Sequence, residues 1–113
     1  ACTKELLALP EPPTCILFPD DFSAVGGLGA LAEAGLRVPE DISVMGYDGI
    51  HLASVMSPAL TTFHQDTEVL GRTAAARLIE LIEKPKTALL DRVLIPGRLV
   101  EGRSVKTIGE NCK

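Results

Sequence analysis

Apolar residues along this chain follow two rhythms, short unbroken runs and longer stretches where they recur every three or four positions. Thr14-Cys15-Ile16-Leu17-Phe18 is the first unbroken run, and it predicts a strand buried on both faces. Before it, a segment from Thr3 to Leu9 reads as the tail of a helix, cut short by Pro10, Pro12 and Pro13. After the turn Pro19-Asp20-Asp21, the residues Ala24, Val25, Leu28, Leu31 and Ala32 recur at helical spacing between Ser23 and Ala34. Asp21 is a candidate N-cap for that helix, and Gly35 supplies its C-terminal stop. Gly26, Gly27 and Gly29 within it each cost about 1 kcal/mol relative to Ala. That expense predicts a helix face lying very close to another backbone.

Ile42 to Tyr47 is a second buried strand, led in by the turn Pro39 to Asp41. A loop is expected from Gly49 to Pro58, followed by the β-branched strand Leu60-Thr61-Thr62-Phe63-His64. Asp66 or Thr67 then caps a helix whose Leu70, Ala74, Leu78, Leu81 and Ile82 share one face, ended by Lys84-Pro85. Val93-Leu94-Ile95 and Leu99-Val100 read as a last strand, interrupted by Pro96-Gly97. Strand, helix, strand, strand, helix, strand defines an α/β class with a parallel sheet. At 113 residues the chain is one domain at most, and its sheet is small.

Composition sharpens this picture. Hydrophobic residues make up 46% and charged residues 23%, a globular balance, but with one Tyr, three Phe and no Trp the core must be aliphatic. A net charge of −4 with scattered Lys and Arg argues against the chain gripping nucleic acid by itself. Cys2, Cys15 and Cys112 show no metal spacing and read as free thiols in a reducing compartment, with Cys15 as a small buried hydrophobe. No apolar run reaches the length of a membrane span and no signal-peptide pattern is visible, so a soluble cytoplasmic protein is expected. His51 and His64 lack a second metal-type ligand at suitable spacing, and no nucleophile–base arrangement is legible. Neither a metal, a cofactor nor an enzymatic activity is expected.

The chemistry lies in three carboxylates just past apolar strands, Asp20 and Asp21 after the first and Asp48 after the second. In open α/β sheets ligands bind outside the carboxyl ends of the strands, where such groups accept hydrogen bonds from hydroxyls and amines. Each has a plainer role available, since Asp21 could simply cap its helix and Asp48-Gly49 is a favoured turn dipeptide. An acidic pair after a strand also fits a phospho-accepting receiver domain. Asp66, Thr87 and Lys106 suit its remaining roles poorly, and the glycine-rich helix is foreign to it.

Taken together, "PTCILFPDDFSAVGGLGALAEAGLRVPEDISVMGYDG", "PALTTFHQDTEVLGRTAAARLIELIE" and "VLIPGRLVEGRS" resemble the LacI/GalR (lactose/galactose repressor) family of bacterial transcription regulators. The likeness runs from Pro13 to Ser104. It implies a parallel-sheet, periplasmic-binding-protein-like (type I) fold, here partial and mainly the C-terminal subdomain. The helix-turn-helix and most of the N-terminal subdomain of such a regulator are not in this sequence. It further implies a small, sugar-like effector, a homodimer, and operator DNA contacted only through the absent N-terminal region. Carried over residue by residue, Asp48 matches the family's effector-contacting Asp. Asp21 matches the Asp of its Asn-Asp pair at the same cleft and Asp20 stands where Asn is usual, both expected among the effector-binding residues, while Gly49 replaces a second Asp. Gln65 falls at the crossover between subdomains and is expected to line the cleft. Ser23, Val25, Gly26, Leu28 and Gly29 match a helix used in dimerisation, and Tyr47 is expected to pack on the sheet. A periplasmic sugar-binding transport protein of the same fold is the second reading.

Overall fold

The computed structural model describes residues 2–87 and 91–109, so the expectation for Cys112 lies outside the described residues. The chain divides into two compact units, one of Ala1–His64 with Leu99–Lys113 and one of Gln65–Arg98.

In the first unit, α1 (Cys2–Leu7) precedes β1 (Cys15–Leu17), α2 (Asp21–Glu33), β2 (Ser43–Asp48), the short α3 (His51–Val55) and β3 (Thr61–His64). β4 (Arg98–Val100) completes a four-stranded sheet in the order β1-β2-β3-β4. β1 pairs with β2 and β2 with β3, both in parallel. Ile16, Val44, Ile42 and Leu60 bury one face of this sheet with Ala24 and Leu31 of α2 and Ala53 of α3. The predicted mixed α/β order with a parallel sheet is therefore present.

α2 begins one residue earlier than expected. Asp20, not Asp21, is its N-cap, accepting hydrogen bonds from the Ser23 backbone N–H at 2.7 Å and the Ser23 hydroxyl at 2.8 Å. At the other end Gly35, at φ +73°, closes the helix as foreseen. The Gly35 N–H donates to the Ala32 carbonyl and the Leu36 N–H to the Leu31 carbonyl, both at 3.0 Å, which is the Schellman pattern. The glycines within α2 differ in their surroundings. A Cβ at Gly27 would run into the ring of Phe18, a side chain rather than a backbone, while Gly26 and Gly29 face open space.

Further expectations are corrected. β1 alternates, with only Ile16 buried, because the strand lies at the sheet edge and Cys15 and Leu17 point away from the core. Cys15 is thus exposed. The expected loop from Gly49 to Pro58 contains α3, too short to announce itself by periodicity. Val93 to Ile95 form no strand, and only Arg98–Val100 pairs, since Pro96 lacks the N–H a ladder requires.

A segment distant in sequence fastens the amino ends of β2 and β3. Ser104 is 0% exposed, its hydroxyl donating to the Val44 carbonyl at 2.6 Å and accepting the Thr61 N–H at 2.8 Å. The Val44 N–H donates to the Ser104 carbonyl, the Arg103 N–H to the Ala59 carbonyl, and the Gly102 N–H to the Thr61 hydroxyl.

The second unit is dominated by α4 (Thr67–Glu83), capped by Asp66, whose carboxyl accepts the Val69 N–H at 3.0 Å. Arg72 pairs with Glu68, and Arg77 with both Glu80 and Asp91. No residue of α4 is buried, and Leu78 and Ile82 on the expected apolar face are exposed. Among the described residues, no helix is long and apolar enough to cross a membrane.

Candidate functional site

Because β1, β2 and β3 run parallel, their carboxyl ends lie along one edge of the sheet. That edge gathers Asp20 and Asp21 after β1, Asp48 at the end of β2 and His64 at the end of β3. Asp48 and His64 are register partners, so the two strand tips stand side by side.

The three carboxyl groups are used differently. Asp20 is spent on the helix cap, and the backbone and hydroxyl hydrogen bonds from Ser23 hold its pKa below the ordinary carboxylate range. Asp21 is 1% exposed. Its Oδ1 accepts the Thr62 hydroxyl at 2.6 Å and its Oδ2 accepts the Ile50 N–H at 2.9 Å. It thereby ties the start of α2 to β3 and to the turn after β2. Asp48 is half-buried at the head of that turn, with φ of +100°. Only a few per cent of non-glycine residues adopt such a conformation, Asp and Asn most often.

Two glycines make room for this arrangement. A Cβ on Gly46, the register partner of Thr62, would overlap Asp21 Oδ1 and crowd Leu60. Gly49 sits at φ +71°, and a Cβ there would come within 2.6 Å of the His64 backbone and side chain. The His64 ring also meets the Gly49 carbonyl through Nδ1 at 3.1 Å. Thr62, His64 and the Ile50 N–H are members of the site that sequence reasoning missed. Gly46, a glycine inside an apolar strand, was the available signal, since it marks a close approach.

Gln65, also expected in the cleft, begins the second unit, where its carbonyl accepts the Thr67 N–H at 3.0 Å. Tyr47 stacks on Phe63 with ring centroids 5.5 Å apart, the sheet-packing role expected of it. On α2, Leu28 packs against the core, Ser23 is held by Asp20, and Val25, Gly26 and Gly29 are exposed beside Phe22, which is 69% exposed. Among the described residues, no group of three or more His, Cys, Asp or Glu is arranged to hold a metal ion.

A parallel sheet presenting acidic strand tips, backed by a glycine-relieved turn, defines an α/β binding domain of the periplasmic-binding-protein type. Residues 2–105 match the family model of the periplasmic binding protein-like domain. The chain belongs to that family, in its LacI/GalR branch. It is 41% identical over 109 residues to the HTH-type transcriptional repressor PurR of Haemophilus influenzae strain PittEE, covering 95% of this chain and 32% of that relative. Against PurR of Yersinia pestis strain Pestoides F it is 44% identical over 105 residues, covering 89% and 29%. The chain thus spans about a third of the length of these relatives. Among solved structures it resembles the lac repressor dimer bound to operator and the anti-inducer ONPF, at 36% identity and a TM-score of 0.83, over 94% of this chain and 36% of that one. It also resembles a LacI family transcriptional regulator from Enterococcus faecium with bound ribose, at 34% identity and a TM-score of 0.80, over 91% and 37%. The receiver-domain alternative is superseded by this membership.

Proposed function

We propose that this chain is the effector-binding and dimerising part of a LacI-type transcriptional repressor that acts in the cytoplasm. The observation that carries the reading is the strand-tip edge, where Asp48 is held in a left-handed turn between β2 and β3. A carboxylate so placed suits the hydroxyls of a sugar-like effector. Its support from relatives is the ribose of the Enterococcus faecium structure and the ONPF of the lac repressor dimer. Asp48 is the principal contact in this reading, with Asp20 of the same strand-tip edge beside it. The α2 face of Ser23, Val25, Gly26, Leu28 and Gly29 forms the homodimer contact, and operator DNA is gripped by a region outside this chain. Effector binding then biases an equilibrium between two arrangements of the protein and so alters operator affinity.

Calorimetric titration of the protein carrying this chain with ribose and a panel of sugars and nucleosides tests the proposal. Asp48→Ala should weaken the bound effector roughly 10- to 100-fold, the effect of losing hydrogen bonds to a charged group. An unchanged affinity would overturn the site.

A further inference from the structure

Asp21 carries more than its share of this edge. Its carboxyl group is the one charged-type side chain buried among the described residues, and both of its oxygens are engaged, one by the Thr62 hydroxyl and one by the Ile50 N–H. Those partners lie 41 and 29 residues away in sequence. The contacts therefore join three separate pieces of the fold: the first turn of α2, the strand β3 and the turn after β2. The strand between them is built around the carboxyl group, because any residue but glycine at Gly46 would occupy the volume of Asp21 Oδ1.

We propose that Asp21 is a positioning residue, which fixes the Asp48-Gly49-Ile50 turn and so presents Asp48 at the sheet edge without itself touching the ligand. The inference rests on the reading of Asp48 as an effector contact. The argument is geometric. Asp48 holds φ +100°, a backbone state that persists only when its surroundings over-determine it. Two residues later the Ile50 N–H is anchored to Asp21, and between them the Gly49 carbonyl meets His64. The turn is thus pinned just beyond Asp48, and the deeper pin is a buried side chain with no surface to offer a ligand. Thr62 sets the direction of that pin by donating to the other oxygen at 2.6 Å.

The test is nuclear magnetic resonance on the 113-residue chain, with no ligand present, so its outcome is independent of whether Asp48 binds an effector. Asp21→Asn keeps the shape but replaces one acceptor oxygen by a donor. Amide exchange at Ile50 should accelerate about 10- to 100-fold. The amide–α-proton coupling of Asp48 should move away from its left-handed value, while exchange at Val44 and Leu31 changes by less than about twofold. Thr62→Val should reproduce part of the effect and Thr62→Ser should restore the parent behaviour, which keeps the test decisive if Asp21→Asn does not fold. Unchanged Asp48 coupling and Ile50 exchange, or an equal acceleration at Val44 and Leu31, would overturn the proposal. Failure of Asp48→Ala to weaken effector binding would sink the binding site alone and leave this result standing.

Discussion

Ser104→Ala isolates the fastening of β2 to β3. The substitution removes one oxygen and nothing else, yet that oxygen serves two backbone groups, the Val44 carbonyl at 2.6 Å and the Thr61 N–H at 2.8 Å. With Ser104 fully buried, neither group can turn to bulk water. A buried polar group left unpaired costs about 1–3 kcal/mol, so two together give about 2–6 kcal/mol. Water entering the vacated space would recover part of this, and about 2–4 kcal/mol is expected. That is a large fraction of the roughly 5–15 kcal/mol by which domains are stable. In urea, with a slope of about 2 kcal/mol per molar, the unfolding midpoint should drop by about 1–2 M with the slope unchanged. Thr107→Ala, at an exposed position of the same segment, should stay within about 0.5 kcal/mol. A Ser104→Ala midpoint as close to the parent as that of Thr107→Ala would refute the accounting.

Glycines at different positions should answer to Ala with opposite signs. Gly49→Ala adds a left-handed strain of about 1–2 kcal/mol to overpacking of about 1–3 kcal/mol against His64. Gly71→Ala, in α4 with nothing within 4 Å, should stabilise by about 0.5–1 kcal/mol; the same urea titration reads both. The side-chain and backbone hydrogen bonds from Arg37 lower the pKa of Asp41 to about 2. Its support for the fold is therefore complete above the unfolded-state value near 4 and is lost as pH falls toward 2. A carboxyl-carbon titration of Asp41 with a midpoint near 4 would contradict this. Val25→Glu places a charge on the α2 face proposed as the homodimer contact, and sedimentation should show single chains for the variant and a dimer for the parent; a variant as dimeric as the parent would move the proposed interface elsewhere.

Much of this architecture is legible in the residues, because the patterns that encode it are local. Gly35 stops α2, the apolar run of β2 ends at Asp48, and Asp66 caps α4, each within a few positions of its cause. What stayed hidden depends on partners far along the chain. Nothing near Asp21 announces that its oxygens reach Ile50 and Thr62, and so the residue reads locally as a cap or a ligand. Cys15 looks buried because an apolar run carries no mark of which strand will lie at a sheet edge. Val93 to Ile95 have strand-like residues without a ladder to join, and α3 is shorter than two helical turns.

The fastening by Ser104 also sets an order of events during synthesis. Its bonds to Thr61 and Val44 span 43 and 60 residues, and the unit it closes is interrupted by the whole of Gln65–Arg98. Contacts of such long range form late and slowly. A chain still on the ribosome, with β1 to β3 already outside, would carry the open amino ends of β2 and β3 until Gly102 to Ser104 emerged. During that interval the nascent sheet is the stretch most exposed to mispairing and to chaperone capture.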